Sequence, residues 1–236
     1  MIDLGSDLLN YIVERDIQPG DRLPSISELK KSDHLGISIS KVREQLEVAR
    51  ALGLVEVRSK IGTKVQEYDF TPTVRLSLFY ALARDPQYFE SYSQVRTHIE
   101  YAFWLEACEL LTEIDFDIMR DCIQQAESKL NGQWIRIPHD EHRTFHLTVF
   151  NKLNNPFVLG LLEAYWDAYD AVQLNTYTDY DRLKQVWDFH KRILVSIEKG
   201  DYEESRELFM EHTQLLRYQP RIKNIEDTTQ QERSSK

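Results

Sequence analysis

Hydrophobic positions change their spacing along this chain near residue 70. Before it, short apolar-periodic runs alternate with turn signals at Pro19-Gly20-Asp21, Pro24-Ser25, Gly36, Gly53 and Gly62, the pattern of several small, closely packed elements. A helix is predicted over Leu8–Asp16, with Leu9, Ile12 and Val13 on one face, and a second after Pro24, with Ser25 as N-cap and Leu29 buried. A third, capped by Ser38 or Ser40, carries the stripe Val42, Leu46, Ala49 and Leu52 and ends at Gly53. Two strands, 54–58 and 63–66, flank the turn Ser59-Lys60-Ile61-Gly62 and form a small hairpin. Two short helices, a tight turn and a hairpin make a winged helix-turn-helix.

Beyond residue 70 the spacing is helical, with apolar residues three and four apart, for example Val95, Ile99, Phe103, Ala107 and Leu110. From residue 86 to 218 only three glycines and two further prolines interrupt it. The predicted fold class is therefore mainly α: an N-terminal winged helix-turn-helix followed by an all-α antiparallel helical bundle. The polar stretch 66–73, with Pro72, reads as a connection. The expected divisions are 1–67 for the winged helix, 68–75 for a linker, 76–218 for the helical domain, and 219–236 for a disordered tail without aromatic residues.

Charge refines this picture. The 236 residues carry a net charge of −10, which taken alone argues against a nucleic-acid partner. Over residues 30–64, however, eight basic residues face four acidic ones, a local charge of +4. The basic patch that bulk composition denies is present where the winged helix needs it. No run approaches the ~18 apolar residues of a membrane span, and the two cysteines, Cys108 and Cys122, form no metal or disulfide framework, so a cytoplasmic protein is expected. No Gly-rich phosphate loop is present.

Four of the seven histidines form a pattern. His142 and His146 are four apart and share one helix face. His190 and His212 are equidistant from the turn at Gly200-Asp201, so folding their helices antiparallel sets them side by side. Four imidazoles from three helices suit a divalent metal, with zinc or nickel as the leading candidates. Each histidine taken singly is more readily a buried or surface residue satisfied by a hydrogen bond, and it is the second, symmetric pair that favours a metal.

The string Pro19 to Ser25 (PGDRLPS), then LGIS at 35–38, VRE at 42–44, GLVE at 53–56 and IGTKV at 61–65, resembles the winged-helix domain of GntR-type bacterial transcription regulators. The resemblance implies that Ser25, Ser38, Ser40, Lys41 and Arg43 meet the major groove and phosphates, and that the wing, with Arg58, Lys60 and Gly62, reaches the minor groove. Two positions depart from the family pattern: Ile39 and Ser27 stand where arginines are usual, and the segment 30–34 is about two residues longer. An operator different from the family's common one is expected.

The second half, from about residue 95 to 218, resembles the FCD ligand-binding domain of the FadR branch, on VRTHIE at 95–100, FHLTV at 145–149, Asn155-Pro156, Phe189-His190, Gly200-Asp201 and Glu211-His212. Many members bind a divalent metal through one aspartate and three histidines. Here the histidines match His146, His190 and His212, and the aspartate position is His142. A four-histidine site is expected, with a water in place of His142 as the rival. Asp140 lies on a different side of the helix. The resemblance further implies a small carboxylate effector held by the metal and Arg96, whose alternative role is a salt bridge to Glu100. It implies a homodimer on a pseudo-palindromic double-stranded DNA operator. Two other functions stand as alternatives: a metal-free pocket for a larger apolar or acyl ligand, and a metal-dependent hydrolase, against which stands the lack of an HExxH motif or a placed general base.

Overall fold

The computed structural model describes residues 2–172 and 180–215. The expected tail, 219–236, and the last residues of the expected helical domain lie outside the described residues. Among the described residues, ten α-helices accompany one two-stranded sheet, and no helix is long and apolar enough to cross a membrane.

Helix α1, Asp7–Glu14, starts at Ser6, whose Oγ accepts the Leu9 N–H. Its buried face is Leu8 and Tyr11; Leu9 and Ile12 are only half-buried and Val13 is exposed, so the face lies one position from the predicted one. Helix α2, Ile26–Leu29, is held by a capping box in which Ser25 and Glu28 satisfy each other's backbone N–H groups. Of the two candidate caps for α3, Ile39–Ala51, the structure uses Ser38, which accepts from the Lys41 N–H. Strands β1, Val55–Arg58, and β2, Gly62–Val65, pair antiparallel with Val55 opposite Val65. Leu8, Leu29, Val42, Leu46, Ala49, Val55 and Val65 close one core beneath the three helices and the hairpin.

Seven helices follow: α4 (Thr71–Arg84), α5 (Tyr88–Glu109), α6 (Glu113–Asn131), α7 (His139–Phe150), α8 (Pro156–Ala171), α9 (Tyr180–Glu198) and α10 (Tyr202–Thr213). Helices α9 and α10 form the antiparallel pair expected around Gly200, whose φ of 77° lets the chain reverse. Along α5 the predicted stripe is rotated. Val95 and Leu110 are exposed, and the buried face runs through Phe89, Arg96, Glu100, Trp104, Ala107 and Cys108. Counting apolar residues alone misses this face because two of its members are charged.

Helix α4 begins at Thr71, inside the stretch expected as a linker at 68–75. Pro72 occupies the first turn, where its missing N–H is no loss, and Asp69 Oδ1 accepts the Thr71 N–H at 2.8 Å. Helix α4 lies along α8 as part of the helical domain. It also touches the winged helix. A Cβ on Gly53 would come 2.6 Å from Pro72 Cγ, and one on Gly160 would come 2.8 Å from Phe70 Cβ and Thr71 N. The start of α4 is thus wedged between the end of α3 and the middle of α8. Replacing Gly160 by alanine forces α4 and α8 apart and should cost about 1–3 kcal/mol. A clear fall in Tm is expected by calorimetry, and an unchanged Tm would show that the crossing tolerates a methyl group.

Candidate metal and effector site

The face shared by His142 and His146 on α7 turns toward α9 and α10, and the expected meeting of four rings occurs. Ring centroids of His190 and His212 are 4.5 Å apart, those of His142 and His190 4.9 Å, and those of His146 and His212 5.2 Å. All four are buried. Nε2 of His146 is 3.1 Å from Nε2 of both His142 and His190. For metal–nitrogen bonds of ~2.0–2.1 Å, neighbouring ligands stand about 3.0 Å apart in an octahedron and about 3.3 Å in a tetrahedron, which brackets that spacing. One candidate donor atom from each ring fits within 4.8 Å of the others. Both ring nitrogens of His212 are buried without a hydrogen-bond partner, which leaves a lone pair free toward the cluster. His190 donates Nδ1–H to the Val186 carbonyl at 2.7 Å, which fixes its tautomer and leaves the Nε2 lone pair facing the cluster.

Burial keeps these rings neutral. Loss of water, then the neighbouring imidazoles and Arg96, push the His142, His146 and His212 pKa values well below the usual histidine range, and burial lowers His190 to about 3. Neutral imidazoles are what a divalent cation requires. The walls are aromatic, with Trp166 4.8 Å from His142 and Phe145 4.5 Å from His190 by ring centroids.

Arg96 makes the salt bridge to Glu100 foreseen as its alternative role and also reaches the histidine cluster. It enters the cluster from α5, donating from Nη2 to His146 Nδ1 at 3.0 Å, and its Nε lies 2.5 Å from Glu100 Oε2. Faces of Tyr165, Trp166 and Phe209 surround its guanidinium at 4.6, 5.4 and 5.8 Å. Glu100 is fully buried, and desolvation, countered in part by Arg96, raises its pKa to about 7. Both its oxygens lack an aligned hydrogen-bond donor, and Oε1 is 3.7 Å from His146 Nδ1. Sequence reasoning treated Glu100 only as a rival use for Arg96. Its spacing, i+4 from Arg96 on a face continuing to Trp104, is the signal that places it in the site. Asp140, next to the first two histidines in sequence, is exposed.

At the other end of the molecule, Ser38, Ser40, Lys41 and Arg43 cluster on the exposed first turns of α3. Ser38 Oγ and Ser25 Oγ are occupied in capping their helices. Lys41 pairs with Asp7 at 2.8 Å and Arg58 with Glu56 at 2.7 Å, both in solvent, where such pairs are worth ~0–1 kcal/mol and exchange readily for a phosphate. Arg43 is exposed. Lys60 forms the exposed wing tip beside Gly62, with φ of 65°, a left-handed conformation that glycine adopts at less cost.

Comparisons with known proteins coincide with both halves. Residues 3–65 match the model for bacterial regulatory proteins of the gntR family, and residues 92–215 match the FCD domain. The chain belongs to the GntR family. It is 25% identical to the HTH-type transcriptional regulator LutR of Bacillus subtilis over 181 residues, 76% of this chain and 77% of that one. A solved structure titled Streptococcus agalactiae GntR superposes with a TM-score of 0.64 at 17% identity, covering 88% of this chain and 94% of that one, which bears on the fold. This GntR-family protein is a transcriptional regulator with an FCD effector-binding domain, not a hydrolase.

The buried histidines give the regulator a pH signature in metal-free buffer. Their folded pKa values lie below the unfolded value of ~6.5. The stability they permit is therefore complete above about pH 6.5. It is lost as pH falls from there toward the folded values, by as much as ~1.4 kcal/mol per pH unit for each ring. Thermal melts in chelator should show Tm falling from pH 7 to pH 5, less steeply in His212→Leu. Equal slopes would contradict the assignment.

Proposed function

We propose that this regulator holds a divalent metal, zinc or nickel, on His142, His146, His190 and His212, and reads a small carboxylate effector beside it through Arg96. The observation that carries the reading is the convergence of four buried neutral imidazoles, one with both nitrogens unsatisfied, against a buried guanidinium. A metal bound there supplies a positive centre with coordination positions for an anionic oxygen. Arg96 offers the same anion a fork of N–H donors, and the aromatic walls exclude water that would screen the contact.

DNA binding is assigned to the exposed start of α3 and the wing. Ser40 and Arg43 face base edges, Ser25, Ser38 and Lys41 the phosphates, and Arg58, Lys60 and Gly62 the minor groove. A homodimer presents two such modules to a pseudo-palindromic operator. Asp167 on α8 connects the two ends. Its Oδ1 accepts from Arg143, adjacent to His142, at 2.7 Å, and its Oδ2 from Arg75 on α4 at 3.3 Å. Pro72, one turn before Arg75, abuts Gly53 after the recognition helix. A shift of α7 on effector binding therefore reaches the winged helix through side chains in contact, with its free energy supplied by the effector's differential affinity for the two arrangements.

A larger apolar ligand has one observation in its favour, a cavity of about 490 Å³ between α4 and α5 bordered by Phe70, Val74, Leu78, Tyr92 and Val95. No imidazole borders it, and it leaves the histidine cluster without a purpose.

Protein purified without a histidine tag should retain stoichiometric zinc or nickel, lost in the His190→Ala, His212→Ala double variant. Gel shifts should find a specific operator whose affinity changes with a small carboxylate. Metal-free protein, or an operator affinity indifferent to every carboxylate tried, would overturn the reading. Asp167→Asn should keep metal and effector binding while reducing the effector-induced change in operator affinity; an intact response would remove Asp167 from the route.

On the DNA side, Arg43→Ala should weaken specific binding by about 10- to 100-fold and relax sequence preference. Lys60→Gly should weaken binding to all sequences alike and reduce its salt dependence. Competition gel shifts at several salt concentrations distinguish the two.

A further inference from the structure

The hydrogen bonds around His146 admit one arrangement of protons. A guanidinium only donates, so Nδ1 of His146, 3.0 Å from Arg96 Nη2, must accept, and the neutral ring carries its proton on Nε2. The Val186 carbonyl only accepts, so His190 carries its proton on Nδ1 and leaves Nε2 bare. The Nε2 proton of His146 then points at two ring nitrogens, each 3.1 Å away, the bare Nε2 of His190 and the Nε2 of His142, which must also be bare to accept a share of it. A directed chain runs from Arg96 through His146 and His190 to the backbone of α9.

That chain fits the metal-free molecule and conflicts with coordination. A ligating His146 needs its Nε2 lone pair, and the N–H must stand on Nδ1, where Arg96 can no longer donate. Glu100 Oε1, 3.7 Å from Nδ1 and without a hydrogen-bond donor, is the buried acceptor beside it. We propose that Glu100, His146 and Arg96 form a tautomeric relay in which coordination at His146 Nε2 transfers the ring's N–H to Nδ1, pairs it with Glu100, and releases Arg96 Nη2 to receive the effector carboxylate. Within the ring one N–H bond is lost and one is formed, so its charge is unchanged. Glu100 acts here as a positioning residue for His146, and Arg96 stays tethered to Glu100 Oε2 and between aromatic faces while its outer donors turn free. The consequence is an order of binding, metal before carboxylate, without any requirement that the two touch.

The inference rests on the metal reading above, and the test separates them. Full-length protein labelled with 15N-histidine is examined by long-range 1H–15N correlation spectra, first stripped of metal and then loaded with zinc alone. His146 is assigned from the spectrum of a His146→Gln variant, in which its signal disappears. The expected result is Nε2–H in the stripped protein and Nδ1–H in the zinc form, with His190 showing Nδ1–H in both. Glu100→Gln should lower zinc affinity by about 10- to 100-fold in competition with a chelating dye. An Nδ1–H tautomer already present in stripped wild type overturns the relay while leaving the metal site standing. So does unaltered zinc affinity in a folded Glu100→Gln variant. Wild type that takes up neither zinc nor nickel overturns the metal reading, and the relay with it. Should Glu100→Gln fail to fold, the wild-type tautomers decide alone.

Discussion

Withdrawing four imidazoles, a guanidinium and a carboxylate from water at one point, where α5, α7, α9 and α10 meet, is the constraint on which the helical domain depends. An isolated buried charge is prohibitive, and a buried pair left with unaligned donors is expensive. Arg96 and Glu100 neutralise each other, while desolvation holds the histidines uncharged. A purely apolar core would be more stable in this position. Its replacement by polar groups with unsatisfied atoms is the observation on which the proposed metal and effector site rests.

The same economy of charge operates at the opposite end in the opposite sense. A chain of net charge −10 reaches DNA by concentrating cations on one short stretch and leaving them in water, loosely tied to Asp7 and Glu56. Exposed pairs are weak, so the loss of a carboxylate partner when a phosphate arrives costs little. Buried groups near the histidines are held by directional hydrogen bonds, so a change there is felt by their neighbours. Charge thus divides between a solvated surface whose pairs are weak and a dry site whose groups are held by their neighbours.

Between them, α4 is held by contacts that leave no room for adjustment. Gly160 admits the backbone of Phe70 and Thr71 because it has no side chain, and Gly53 admits Pro72 for the same reason. Close-packed elements of this kind move together rather than deform. With Asp167 bridging Arg143 and Arg75, the wedge makes the start of α4 the point at which a rearrangement of the effector domain meets the end of the recognition helix.

Local chemistry made much of this legible in the sequence. Caps at Ser25 and Ser38, the glycine reversal at Gly200, the wing around Lys60, and the shared face of His142 and His146 all depend on residues within a turn or two of each other, and they stand where periodicity and turn propensity put them. Tertiary contact decided the rest. Periodicity counted apolar residues and so rotated the faces of α1 and α5, because burial of Tyr11 beside His34, and of Arg96 with Glu100, depends on partners distant in the chain. Pro72 reads as a break until α8 arrives to receive the helix it begins. Which nitrogen of His146 holds the proton is fixed by a donor fifty residues away, and no pattern along a single strand of sequence contains that distance.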